Sequence, residues 1–142
     1  MVVFRLRVPI APVAKARPRF RMFGSHVSTF TPQKTAEYEA KIAEHYLKYT
    51  KNHKFERDTA LYVNLIFGMP IPKSTPKSRQ QAMSDGVIKP TKKPDIDNLC
   101  KAVLDALNGV AWDDDSQIVK LSAAKEYSRD PYVSICIHEW VE

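Results

Sequence analysis

Apolar and basic positions alternate over residues 2–8, with Val2, Phe4, Leu6 and Val8 on one side and Arg5 and Arg7 on the other. That is the period of a half-buried strand, and Pro9 and Pro12 end it. Two further runs, RFRMF and HVSTF, flank Gly24-Ser25, a pairing that predicts a hairpin with a glycine-first type II′ turn. In the resulting register Phe20 and Met22 oppose Thr29 and Val27, and the other face carries Arg19, Arg21, Phe23, His26, Ser28 and Phe30. Thr31 as N-cap and Pro32 at the first helical position then open a helix to residue 50, with Ala36, Ala40, Ala43 and Leu47 as its core stripe. Residues 60–69, with Tyr62, Val63, Leu65, Ile66 and Phe67, predict a strand buried on much of both faces, ended by Pro70 and Pro72.

In the second half the period changes. Leu99, Val103, Ala106, Leu107 and Val110 recur at helical spacing, which predicts a helix over 95–108 stopped at Asn108-Gly109, where glycine accepts a positive φ. Between residues 73 and 90 the chain is rich in proline, lysine and serine and holds at most a short helix near 77–83. Residues 117–128 and 132–141 read as two strands joined by Arg129-Asp130-Pro131 into an antiparallel hairpin. With no internal repeat or linker in its 142 residues, the chain predicts a single α+β domain over 1–142, with two main helices on a mixed or antiparallel sheet. A chain of this length buries roughly two-thirds of its unfolded surface.

Candidate chemistry gathers on the second of those helices. Asp95 and Asp97 stand at its start, Lys101 and Asp105 follow at intervals of four, and Asp113, Asp114 and Asp115 come one short turn beyond its end. If the strand after 117 runs back along the helix, the triplet returns toward Asp95 and Asp97. Carboxylates crowded around one space raise one another's pKa, and a divalent cation such as Mg²⁺ or Mn²⁺, which prefers oxygen ligands, compensates them. The same residues also suit an ordinary surface helix. Acids in a first turn favour the helix dipole, Lys101 pairs with Asp97 or Asp105 at i,i+4, and an acidic triplet can be a solvated loop.

A net charge of +6 favours a polyanionic partner. Its densest source is KARPRFR, where Lys15, Arg17, Arg19 and Arg21 surround Phe20. Arginines interleaved with aromatics suit phosphates and exposed bases, and equally keep a strand edge soluble. The lysines and Arg79 of 73–90 suit a loop approaching the same polyanion. His45 and His53 have no partner at metal-ligand spacing and are expected at the surface. Cys100 and Cys136 have neither zinc nor disulfide-framework spacing, and no apolar run is long enough to span a membrane. The N-terminus lacks the order of a secretory signal, so the expectation is a cytoplasmic protein.

KPDIDNLCKAVLDAL followed by WDDDSQIV resembles the RusA family of Holliday-junction resolvases, small homodimeric, Mg²⁺-dependent endonucleases. Weaker similarity extends over most of the chain. The resemblance implies catalytic, metal-holding acids at Asp95, Asp97 and Asp115 and an essential lysine at Lys101, with Asp114 as a neighbouring acid. It also implies Mg²⁺, with Mn²⁺ able to substitute, and branched DNA as partner; the basic run Lys15, Arg17, Arg19 and Arg21, on its charge, is then expected to contact the phosphates. The chain departs from the family pattern in a third acid, Asp113, and in the insertion at 73–90. The implied activity is resolution of four-way junctions by paired nicks in recombination and repair. Its rivals are a less selective flap or fork nuclease and a non-catalytic junction-binding protein.

Overall fold

A computed structural model describes residues 1–16, 19–23, 26–30 and 33–141, with residues 19–23 and 26–30 described by backbone course and pairing. In chain order the elements are β1 (Val3–Val8), β2 (Arg19–Phe23), β3 (His26–Phe30), α1 (Gln33–Thr50), β4 (Leu61–Pro70), α2 (Lys77–Ser84), α3 (Ile96–Leu107), a single 3₁₀ turn (Asp115–Gln117), β5 (Ile118–Ser128) and β6 (Tyr132–Glu139). Four strands form one mixed sheet in the order β1-β6-β4-β5, with β5 parallel to β4 and the other pairs antiparallel. The domain is therefore α+β, as the patterning predicts. β2 and β3 pair separately in the expected register, Phe20 with Thr29 and Met22 with Val27. Arg17, the Gly24-Ser25 turn and the Thr31-Pro32 helix start lie outside the described residues.

The alternation of each strand sends one row of side chains inward. Leu6, Ile135 and Leu65 form one such row and Val8, Val133 and Phe67 the next, all of them buried. This face meets α1, which packs on both β1 and α3, while α3 packs on β5. Tyr46 and Ile42 of α1, Leu99, Val103 and Leu107 of α3, and Trp112 complete the core. α2 packs on β5, and its Met83 is buried apart from this core, as is Tyr132, while Arg5, Asn64, Lys120 and Ser122 on the opposite face of the sheet are exposed.

Four expectations are corrected. β5 and β6 are not a hairpin, because β4 lies between them and takes one on each edge. The parallel β4–β5 pair requires a long crossover, and α2 and α3 supply it, so the three residues at 129–131 span the end of β4. In α1 the buried stripe is Thr35, Tyr38, Ile42, Tyr46 and Thr50, not the alanines. Both stripes have helical spacing, but the larger side chains remove more apolar surface from water, and Ala36 and Ala40 face solvent. β4 is fully buried on one face only, with Asn64 exposed and Tyr62 and Ile66 partly so. His53 is half-buried rather than superficial, its ring 5.0 Å from Phe4 and 4.8 Å from Phe55.

Gly68 is paired with Tyr132 across the β4–β6 ladder, and a methyl group there would overlap Tyr132 Cδ1 and Cε1. Overpacking of this kind costs about 1–3 kcal/mol. Gly68→Ala is expected to lower urea stability by that amount, and Gly68→Ala/Tyr132→Val to recover part of it. Undiminished stability of the single variant would show that the ring moves aside freely.

Candidate active site

α3 is the scaffold of the site. Its apolar stripe, Leu99, Val103 and Leu107, is fully buried, which fixes the rotation of the helix and leaves Asp97, Lys101 and Asp105 along a free side. Asp95 is the N-cap residue, and Gly109, just past the C-cap Asn108, takes a φ of +78° that only glycine adopts without strain. The chain then turns through Trp112 and enters β5, which runs back along the helix. Near the start of β5 lies Asp115; further on, Lys125 Nζ donates to the carbonyls of Lys92 and Pro94 ahead of α3, each at 3.0 Å.

This return gives the three adjacent aspartates three different surroundings. Asp113 is held outside by Lys54 at 2.9 Å and Arg57 at 3.2 Å, and both cations draw its carboxyl below the ordinary range. Asp114 caps the 3₁₀ turn by accepting from the Ser116 amide. Asp115 points into a pocket of about 260 Å³ between α3 and β5, lined also by Asp97, Cys100, Lys101, Asp105 and Leu121. Its Oδ1 accepts from Trp112 Nε1 at 2.8 Å. Burial pushes the Asp115 carboxyl above its usual pKa, and Asp105 and Asp114 push it the same way, against the Trp112 bond and the charge of Lys101.

The pocket therefore unites Asp97, Lys101 and Asp115 of the expected residues. Asp95 is outside its lining, half exposed, with both oxygens 2.9 Å from Lys93 Nζ; that bond holds its carboxyl low, with the charges of Lys93 and Lys125 in support. Lys101 pairs with Asp105 at 3.5 Å, and no ion pair joins it to Asp97 among the described residues. Lys15, the first member of the basic run, is engaged within the chain by Glu39 at 2.7 Å and Asp105 at 3.3 Å. Burial opposes its charge, yet the two carboxylates outweigh burial and raise its pKa. The side chains of Arg19 and Arg21 lie outside the described residues.

Among the described residues no three His, Cys, Asp or Glu side chains stand close enough to enclose an ion. The donor chemistry nevertheless fits a hard divalent cation. Asp97 and Asp115 offer oxygen ligands with no ion-pair partner among the described residues, and Mg²⁺ is commonly held by one or two carboxylates while waters and phosphate fill its remaining positions.

Two residues are more prominent here than their sequence signals. Asp105 joins Lys15 and Lys101 at the pocket wall; its i,i+4 place after Lys101 was the available signal. Gln117 is buried: its Nε2 donates to the carbonyls of Glu56 and Thr59, and its Oε1 accepts from the amides of Asp113 and Asp114. Only its place in the WDDDSQ motif singled it out.

Two carboxylates and a lysine around one pocket, on a domain of net charge +6, are the groups that metal-assisted cleavage of a phosphodiester uses. The family model described as "Endodeoxyribonuclease RusA" matches residues 9–138, and the chain belongs to that family, the Holliday-junction resolvases, which as a class require a divalent metal. It is also similar to the uncharacterized protein YqaN of Bacillus subtilis (strain 168), 33% identical over 128 residues that cover 90% of each chain. No helix among the described residues is long and apolar enough to cross a membrane.

Asp115 is protonated more readily in the fold than in the unfolded chain. It thus lends stability below its unfolded pKa of about 3.9, and that contribution is lost as pH rises through the raised folded value. Asp115→Asn is expected to melt above the wild type at pH 7, with the two melting temperatures converging as the scan is repeated toward pH 4. A variant less stable than wild type at pH 7 would mean that the carboxylate is a net stabiliser.

Proposed function

We propose that the protein is a Mg²⁺-dependent endodeoxyribonuclease that resolves four-way DNA junctions in recombination and repair, acting as a homodimer that makes paired, symmetric nicks. The observation that carries this reading is the α3–β5 pocket, where Asp97 and Asp115 face one space beside the ammonium of Lys101. When bound there, a divalent ion supplies a polarised phosphate and an activated water. Asp97 and Asp115 would hold it. Trp112 fixes one oxygen of Asp115, which orients the other toward the pocket. Lys101, exposed and 3.5 Å from Asp105, meets the charge that develops on the phosphate.

Asp95 joins this set in our reading. Its restraint is an ion pair with a largely exposed lysine, and water and salt screen such surface pairs so that they hold weakly. An ion at the helix start therefore competes with Lys93 on favourable terms. Arg17, Arg19 and Arg21 supply the phosphate contacts of the junction arms, and Lys15 anchors the start of that run to α1 and α3. Both cysteines are free thiols, which suits work in the reducing cytoplasm.

Resolution requires cuts in two strands of like polarity, and a two-fold symmetric substrate is matched by a two-fold symmetric enzyme. Cleavage of synthetic junction, flap and linear duplex, with Mg²⁺ and with chelator, tests the reading. Asp95→Asn, Asp97→Asn and Asp115→Asn are each expected to lower junction cleavage at least about a hundredfold, the scale on which lost charge stabilisation acts, while junction binding persists. Equal cleavage of flaps and junctions would move the assignment to a general branched-DNA nuclease. Mixed dimers of wild type with Asp97→Asn should convert a supercoiled cruciform plasmid to open circles, and a monomer on the junction by light scattering would rule out paired nicking.

A further inference from the structure

The pocket uses one side of the sheet, and the other side is built for a different contact. Register places Val3, His138, Tyr62 and Lys120 in one outward row, Arg5, Cys136, Asn64 and Ser122 in the next, and Arg7, Ser134, Ile66 and Ala124 in a third. Arg5, Arg7 and Lys120 are exposed on this face, and none of them forms an ion pair among the described residues. Among the described residues the face has one acid, Glu126, whose carboxylate is taken up by the Tyr132 hydroxyl.

Aromatic rings stand among these cations. Trp140 stacks on Tyr62 with centroids 5.3 Å apart and planes at 29°, and His138 meets the same Tyr62 edge-on at 5.0 Å. Lys120 Nζ lies 5.3 Å over the Tyr62 ring. Trp140 remains 52% exposed, although its amide is tied to the Ala60 carbonyl at 2.7 Å, so a large ring is presented to solvent from an anchored backbone. Beside the rings a shallow depression of about 240 Å³ opens over Arg5, Asn64, Ser122 and Cys136.

From this juxtaposition we infer that the open face of the sheet is a second nucleic-acid site, which binds an unpaired DNA strand by stacking bases on Trp140 and Tyr62 and pairing phosphates with Arg5, Arg7 and Lys120. Exposed aromatics have no use against the stacked interior of a duplex but bind the faces of splayed bases of any sequence. Charge decides against a second copy of the chain as occupant, since a two-fold pairing of this face with itself would bring two sets of Arg5, Arg7 and Lys120 into one interface without ion-pair partners among the described residues. The position of β5 gives the site its relation to cleavage. β5 is the sheet's edge strand, and while Lys120 and Ser122 face outward, Leu121 between them lines the acidic pocket. A strand on the outer face thus reaches the pocket by passing around one edge. The inference rests on the nuclease reading only for that last relation.

The test is fluorescence anisotropy of a labelled oligodeoxythymidine of about 12 nucleotides, within the usual site size for stacking platforms, together with cleavage of a fully paired four-way junction by the same full-length proteins. Trp140→Ala and Tyr62→Ala should each weaken oligonucleotide binding about tenfold or more, Trp140→Phe should retain it, and Lys120→Glu should weaken it and make its salt dependence shallower. Junction cleavage should stay within about twofold of wild type in Trp140→Ala. Unchanged oligonucleotide affinity in both aromatic variants overturns the proposal. So does a shift of oligomeric state in Lys120→Glu by sedimentation with oligonucleotide affinity intact, which would make the face a protein interface. Absent junction cleavage in the wild type would defeat the nuclease reading and leave the oligonucleotide result standing.

Discussion

The buried amide of Gln117 is the interaction on which the placement of the site depends. It satisfies four backbone groups from two distant stretches, the carbonyls of Glu56 and Thr59 before β4 and the amides of Asp113 and Asp114 after α3. A buried amide or carbonyl left without a partner costs about 1–3 kcal/mol, so these bonds allow the acidic loop essentially one conformation. From that conformation follow the start of β5 beside β4, the outward turn of Asp113 and the inward turn of Asp115. Trp112, fully buried and bonded to Asp115, transmits the same constraint from the core to the pocket.

Electrostatics then separates the carboxylates into those that are neutralised and those left for use. Asp113 has Lys54 and Arg57, Asp95 has Lys93, and Asp105 shares Lys15 and Lys101. Asp97 and Asp115 have no such partner among the described residues, and burial beside other acids makes ionisation of Asp115 less favourable than in water. A site that holds an uncompensated carboxylate in a partly dry pocket is less stable than it need be, and perturbed groups of this kind cluster at functional sites. Lys15 binds the same economy to the fold: by joining Glu39 of α1 to Asp105 of α3, it links the chain leading into the basic run to the wall of the pocket.

The sheet divides the labour further. Its inner rows are apolar and covered by helices, and its outer rows carry cations and aromatic rings. Strand period alone produces this division, because successive residues of a strand face opposite ways. β5 takes part in both faces at one edge, so Leu121 lines the acidic pocket while its neighbours Lys120 and Ser122 face the other way.

Much of this was legible in the chain itself. Period-two alternation located β1, a dense apolar run located β4, and the Leu99–Val103–Leu107 spacing with Gly109 bounded α3 to within a residue. The DxDN and WDDD motifs drew attention to Asp97 and Asp115, which the fold brings to one pocket, since local spacing places acids on one side of a helix or at its end. Local pattern failed where a distant partner decided the outcome. The runs around Arg129–Pro131 have the form of a hairpin, but β4, sixty residues earlier, competes for both strands and wins. The alanines of α1 have a core-like spacing, but the buried side of that helix is set by what fills the space above the sheet, and Tyr38, Ile42 and Tyr46 fill it. Spacing alone does not tell three consecutive aspartates apart, although the family resemblance set Asp115 apart from its neighbours. Only the tertiary structure, through the Gln117 bonds and the return of β5 along α3, gave one of them a cation pair, one a capping role and one the pocket, because the charge and burial around a carboxylate come from residues far from it in the chain.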